Sequence, residues 1–218
     1  MAKVKSTYWN MGRAGLGALL ATVSLSGCAS ILLGPGDTPP RYTLQPISQP
    51  VPAAVASKMK IRLVIPDPQS EAAFDTSRIG RSPAPLRYEY YADGEWTDQL
   101  PQLWGIFLQR SFENDGRIET VGDRTTVPLG DYVLRTDIRA FHIEEREGAR
   151  TARVSISAKL FNSRNETIAT RIFSMSQPVT DQGLTAAVEA INRTAQVAGT
   201  DCVNWVIAEI EQNPPLVY

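Results

Sequence analysis

The sequence predicts an α+β fold, a largely antiparallel sheet covered on one face by two helices to form a two-layer sandwich. Three observations carry this reading. Five segments alternate apolar and polar residues with the period of a strand, and two others repeat apolar residues three and four apart, as a helix does. Their order, β-β-α-β-β-β-α, is that of one sheet with helices on its apolar side, and no internal repeat interrupts it.

The elements follow in turn. Ile61, Leu63 and Ile65 alternate with Arg62 and Val64, and Pro66-Asp67-Pro68 ends that strand. Leu86, Tyr88 and Tyr90 alternate with Arg87 and Glu89, with Ala92-Asp93-Gly94 as the stop. Thr97 to Asn114 reads as a helix. Thr97 or Asp98 is its cap, Pro101 sits in the first turn, and Leu100, Leu103, Trp104, Phe107 and Leu108 form the stripe, with Asp115-Gly116 as the close.

Tyr132 to Ile143 alternates imperfectly, and His142 shares the parity of Leu134, Ile138 and Ala140. Ala152, Val154, Ile156, Ala158 and Leu160 alternate cleanly with Arg153, Ser155, Ser157 and Lys159, as a strand with one wet face does. Asn162 to Asn165 is a hairpin turn into Thr167–Ser176. Gly183 to Glu211 is a long helix that Gly199 bends or splits, and Asn213-Pro214-Pro215 ends it.

Composition narrows the function. The 218 residues are 43% hydrophobic and 21% charged, which excludes a disordered tail and a polytopic membrane protein. Lys3, Lys5 and Arg13 are the only charges in residues 1–27, so the remainder holds four more acids than bases. Such a body does not grip phosphate backbones, and nucleic acid is not an expected partner. Two cysteines and one histidine leave little for a metal cage or a disulfide scaffold.

Residues 1–27 read as a secretory signal with a positive start and an apolar core, Ala14 to Leu25, that is too short to span about 30 Å of hydrocarbon. Its end, Leu25-Ser26-Gly27-Cys28, resembles a bacterial lipobox. That resemblance implies peptidase recognition of Leu25, Ser26 and Gly27, a diacylglyceryl thioether on the Cys28 sulfur, and an acyl chain such as palmitate on the freed amine. Ala29, where Asp would resemble an inner-membrane retention signal, favours the outer membrane, facing the periplasm. Residues 28–57 form a lipidated, Pro-rich tether, interrupted by a strand-like Tyr42-Thr43-Leu44 that pairs with the body. The domain is 58–212 and the tail 213–218.

Few residues invite chemistry. His142 has Glu144 and Glu145 near it but no motif-borne nucleophile, and reads as a structural or surface histidine. Cys202, among apolar neighbours, reads as a buried thiol. Glu144 to Gly148 reads as a solvated hairpin tip, and the Asn-x-Thr matches at Asn165 and Asn192 read as accidental. No P-loop, dinucleotide turn or nucleophile elbow occurs, so no enzyme and no cofactor are expected. Tyr88, Tyr90, Tyr91, Trp96 and Trp104 read mostly as core, and Tyr91, of opposite parity, as the candidate partner contact.

The ordered set of lipobox, Tyr42-x-Leu44, Ile61-Arg62-Leu63-Val64-Ile65-Pro66, Leu86-x-Tyr88-x-Tyr90-Tyr91, Trp96 and Leu100-Pro101 resembles the ABC-type transport auxiliary lipoproteins. The resemblance runs from Cys28 to about Glu211, with residues 74–80 departing from the pattern. It implies a non-enzymatic lipoprotein on an MCE-domain periplasmic protein, served by an ABC permease and ATPase that move lipid or another hydrophobic compound. It includes relatives that form collars, so a homo-oligomer is among the assemblies it implies. The alternative, an envelope-assembly lipoprotein that chaperones an outer-membrane or cell-wall protein, shares the anchor and tether.

Overall fold

The structure is a computed structural model, and it describes residues 38–48 and 58–215. Its spine is one long strand. β7 (Tyr132–Arg146) pairs along its whole length with β8 (Ala149–Asn162), which pairs in turn with β9 (Thr167–Pro178), both antiparallel. Along the other edge of β7 the chain lays three short parallel pieces in sequence order. β2 (Met59–Val64) meets Tyr132 and Val133, β3 (Gln69–Ser70) meets Asp137 and Ile138, and β4 (Arg78–Ala84) meets His142 to Glu144. Pro66 and Pro68, which have no N–H for a ladder, fall in the first gap.

β5 (Arg87–Trp96) folds back on β4, β6 (Ile118–Gly122) flanks β2, and β1 (Arg41–Tyr42) flanks β5. Antiparallel pairing thus dominates by length, and the parallel pairings are short. Helices α1 (Leu100–Asp115) and α2 (Gly183–Gln212) bury the apolar face of this sheet. The expected two-layer α+β sandwich is what forms.

Several local expectations change, each for a physical reason. The uneven alternation in β7 is a bulge: Ile138 faces Ile156 and Ala140 faces Ser155, so Arg139 is the extra residue. Parity flips there. Leu134, Thr136 and Ile138 point to the core before the bulge, Phe141 and Ile143 after it, and His142 lies on the face opposite Leu134 and Ile138. β5 does not stop at Ala92-Asp93-Gly94 but runs through to Trp96. Gly94 is there for packing: a Cβ would lie 2.4 Å from Leu184 and 2.9 Å from Tyr42.

Gly199 does not break α2 either. The helix is continuous through Gly199, whose missing side chain admits the Phe107 ring of α1. The cap of α1 is Gln99 rather than Thr97 or Asp98, and Asp98 instead accepts from the Gln99 N–H at 2.7 Å. Gly116, at φ 73, closes α1 as expected by donating to the Phe112 carbonyl. β3, β4 and β6 carry too little alternation to be seen in the sequence.

The expected pairing of Tyr42 with the body occurs: Arg41 and Tyr42 lie in register with Glu95 and Trp96. Residues 43–48 continue as a strap over both helices. Gln45 N–H donates to Asn192 Oδ1 at 2.8 Å, Ile47 N–H to Ser111 Oγ at 3.1 Å, and Asn114 Nδ2 to the Ile47 carbonyl at 2.9 Å. Leu44, within the strap, is buried. Residues 41–48 are therefore fixed to the domain.

Candidate functional site

Leu25, Ser26, Gly27 and Cys28 lie outside the described residues. Of the remaining candidates, Cys202 is 1% exposed on the inner face of α2. Burial pushes its thiol up to about 12, opposed by Arg171 and assisted by Asp201, so it stays protonated and unreactive.

His142 stands half-buried between Phe74, stacked at 6.3 Å, and the edge of Tyr88 at 5.4 Å. Its Nδ1 is buried without a hydrogen-bond partner. Burial pulls its pKa down to about 4; Glu144 opposes this, and Arg153 and Arg146 assist it. A neutral imidazole wedged between two rings is a packing group. Because the folded value lies below the ordinary 6.5, the unfolded chain takes up the proton first. Stability should be intact above about pH 6.5 and fall between there and about pH 4, by about 2 kcal/mol after allowance for partial exposure. His142→Phe should remove that loss, as urea melts at pH 7 and pH 4.5 would measure.

The aromatic group divides. Trp96 and Trp104 are core residues, with Trp104 stacked on Phe107 at 4.9 Å. Tyr88 and Tyr90 pack edge to face at 5.5 Å beside His142. Tyr91 lines a solvent-open groove of about 490 Å³ where β4 and β5, the β7–β8 turn and the start of α2 converge. Arg81, Glu145, Glu147 and Arg150 share that lining.

Tyr91 is half-buried, and its hydroxyl accepts from Arg150 Nη2 at 3.0 Å. The same guanidinium donates to the carbonyls of Asp181 at 3.0 Å and Gly183 at 3.2 Å. Arg150 therefore fastens the start of α2 to the sheet, a role with no signature in the sequence. Arg81 bonds Glu89 at 2.7 Å and approaches Glu145 at 3.8 Å. The groove is a braced, charge-paired surface open to solvent.

A larger open groove, about 980 Å³, runs past the start of α1 and is lined by Asp67, Glu71, Asp75, Asp137 and Arg139. Among the described residues no three His, Cys, Asp or Glu side chains converge as a metal site. Among them, too, no helix is long and apolar enough to cross a membrane.

Fold and surface together define a strand-rich α+β domain that offers open, braced grooves. A crystal structure of a Xanthomonas campestris protein has the same fold, with a TM-score of 0.71 and 23% identity, over 79% of this chain and 97% of that one. A second, described only as an uncharacterized protein, has a TM-score of 0.59 and 14% identity, over 78% of this chain and 99% of that one. The chain belongs to the family of ABC-type transport auxiliary lipoprotein components, whose model matches residues 42–201. It is also 25% identical over 160 residues to an uncharacterized protein of Bradyrhizobium diazoefficiens, spanning 71% of this chain and 42% of that relative. The family is one of lipoproteins that accompany ABC-type transport.

Proposed function

We propose that this chain is the lipid-anchored, periplasm-facing accessory subunit of an MCE-type ABC transport system for lipid or another hydrophobic compound. Cys28 carries the acyl chains and holds the domain at the outer membrane. The permease and ATPase supply the energy, and this domain docks the MCE-domain protein.

The observation that carries the reading is family membership over residues 42–201, in a chain whose own amino terminus holds Leu25-Ser26-Gly27-Cys28. The fixed strap supports it. Extended at about 3.1 Å per residue, the run from Ala29 to Arg41 reaches about 40 Å, enough to lift the domain clear of a bilayer. The open grooves suit contact with another protein.

Affinity purification of the tagged full-length chain from detergent-solubilised membranes tests the partner. The MCE-domain protein should co-purify, and deletion of the gene should raise envelope permeability to a hydrophobic dye. Absence of both would end the reading.

A further inference from the structure

Two residues that rarely adopt left-handed backbone stand at the same end of the sheet. Ala84 pairs with Arg87, so Pro85-Leu86 is a two-residue turn, with Leu86 at φ 64. Arg146 pairs with Ala149, so Glu147-Gly148 is another, at φ 51 and 80. The turns are neighbours, since Gly80 to Ser82 run beside His142 to Glu144 and Arg146 donates to the Ser82 carbonyl at 3.1 Å. Glycine and asparagine are the ordinary occupants of such positions, as Gly148 and Asn165 are here. Leu86 and Glu147 are not.

Leu86 gains nothing inside its own chain. Its relative exposure is 109%, against 76% for Leu129, the next most exposed large apolar residue described. A strained backbone that presents a bare leucine to water points to a contact outside the molecule.

The surroundings identify the kind of partner. Arg81 and Arg87 both pair with Glu89, Arg81 approaches Glu145, and Arg146 and Arg153 both pair with Glu144. With Glu147, and with Arg150 and Asp93 of the adjoining groove, the ring around the turns holds five arginines against four glutamates and one aspartate. An anionic lipid surface attracts net positive charge, and this ring carries none. Arg41 pairs with Glu95 at the opposite end of β5 from Leu86, and the irregular pairing of β5 with β4 shortens that span to about 20 Å. An apolar anchor in a neutral polar rim has the anatomy of a protein–protein hot spot.

We infer that Leu86 is the anchor of this docking face and enters an apolar pocket on a protein partner, with Arg87 and Glu147 on the rim. Resting on the reading above, that partner is the MCE-domain subunit.

Stability and binding should move in opposite directions. In the full-length chain Leu86→Asn should raise Tm by about 2 °C, because asparagine tolerates the left-handed turn. It should weaken binding of the purified MCE-domain protein about ten-fold or more, and Leu86→Asp should do at least the same. Leu129→Asp, at the far end of β7, should leave binding unchanged. A photoreactive benzoylphenylalanine at position 86 should form an adduct with that subunit in cells.

If the wild type binds and both Leu86 variants bind as well, the inference fails while the functional reading stands. Failure of the wild type to bind removes both. An adduct with lipid alone, or no adduct, overturns the assignment to a protein.

Discussion

Phe107→Ala should cost about 3–5 kcal/mol, because it empties a buried contact between the two helices. Phe107 is 1% exposed, stacks on Trp104, and lies where a Cβ on Gly199 would be 2.6 Å from its Cε1 and 2.9 Å from its Cζ. Ile47 of the strap closes the same space, 3.1 Å from that Cβ position. Gly199→Val approaches the contact from the other side. It gains helix propensity but drives two methyl groups into a ring held by Trp104, for a net loss of about 2–3 kcal/mol. The double variant should lose less than the two added, because the valine enters the space the ring vacates. Urea denaturation of the four proteins gives the cycle; strict additivity would mean that the helices do not meet through this pair.

Exchange of residues 1–28 for a leader without a lipobox should have the largest effect on location and function. Each buried CH₂ of an acyl chain contributes about 0.8 kcal/mol, so one chain binds marginally and two or three bind durably. Removal of Cys28 takes away the proposed acyl attachment and with it that hold on a bilayer. The protein should shift from the membrane pellet to the soluble periplasmic fraction and fail to restore permeability in a deletion strain. Its melting temperature should not change, because β1 and the strap, residues 41–48, already hold to the domain without the lipidated terminus. Cys28→Ala with the native leader should accumulate as unprocessed precursor.

Much of the fold was legible from periodicity. β8 could be read because one of its faces is apolar and meets the helices while the other carries Arg153 and Lys159 to water, and both helices because their stripes are continuous. What escaped reading was structure fixed by long-range pairing. β3, β4 and β6 are strands because β7 and β2 offer edges to pair with, and β4 carries Gly80 and Pro83 on its short course. The bulge at Arg139 moved His142 to the other face, which no count along β7 alone could place.

Gly94 and Gly199 looked like breaks, yet each is small because another element crosses it. At the candidate site Tyr91 was visible as an odd aromatic, whereas Arg150 was not, since its partners are carbonyls more than thirty residues away. Pro85 marks a turn in the sequence, but the sign of φ at Leu86 is a property of the hairpin.

The central claim, that an acylated sulfur ties this domain to the envelope, is tested most directly by intact-mass analysis of the native protein extracted from purified outer membranes. The account predicts one product that begins at Cys28 and carries the added mass of a diacylglyceryl thioether and an amide-linked acyl chain. A product that begins at Met1, or at any residue after Cys28 with no acyl mass, would contradict it.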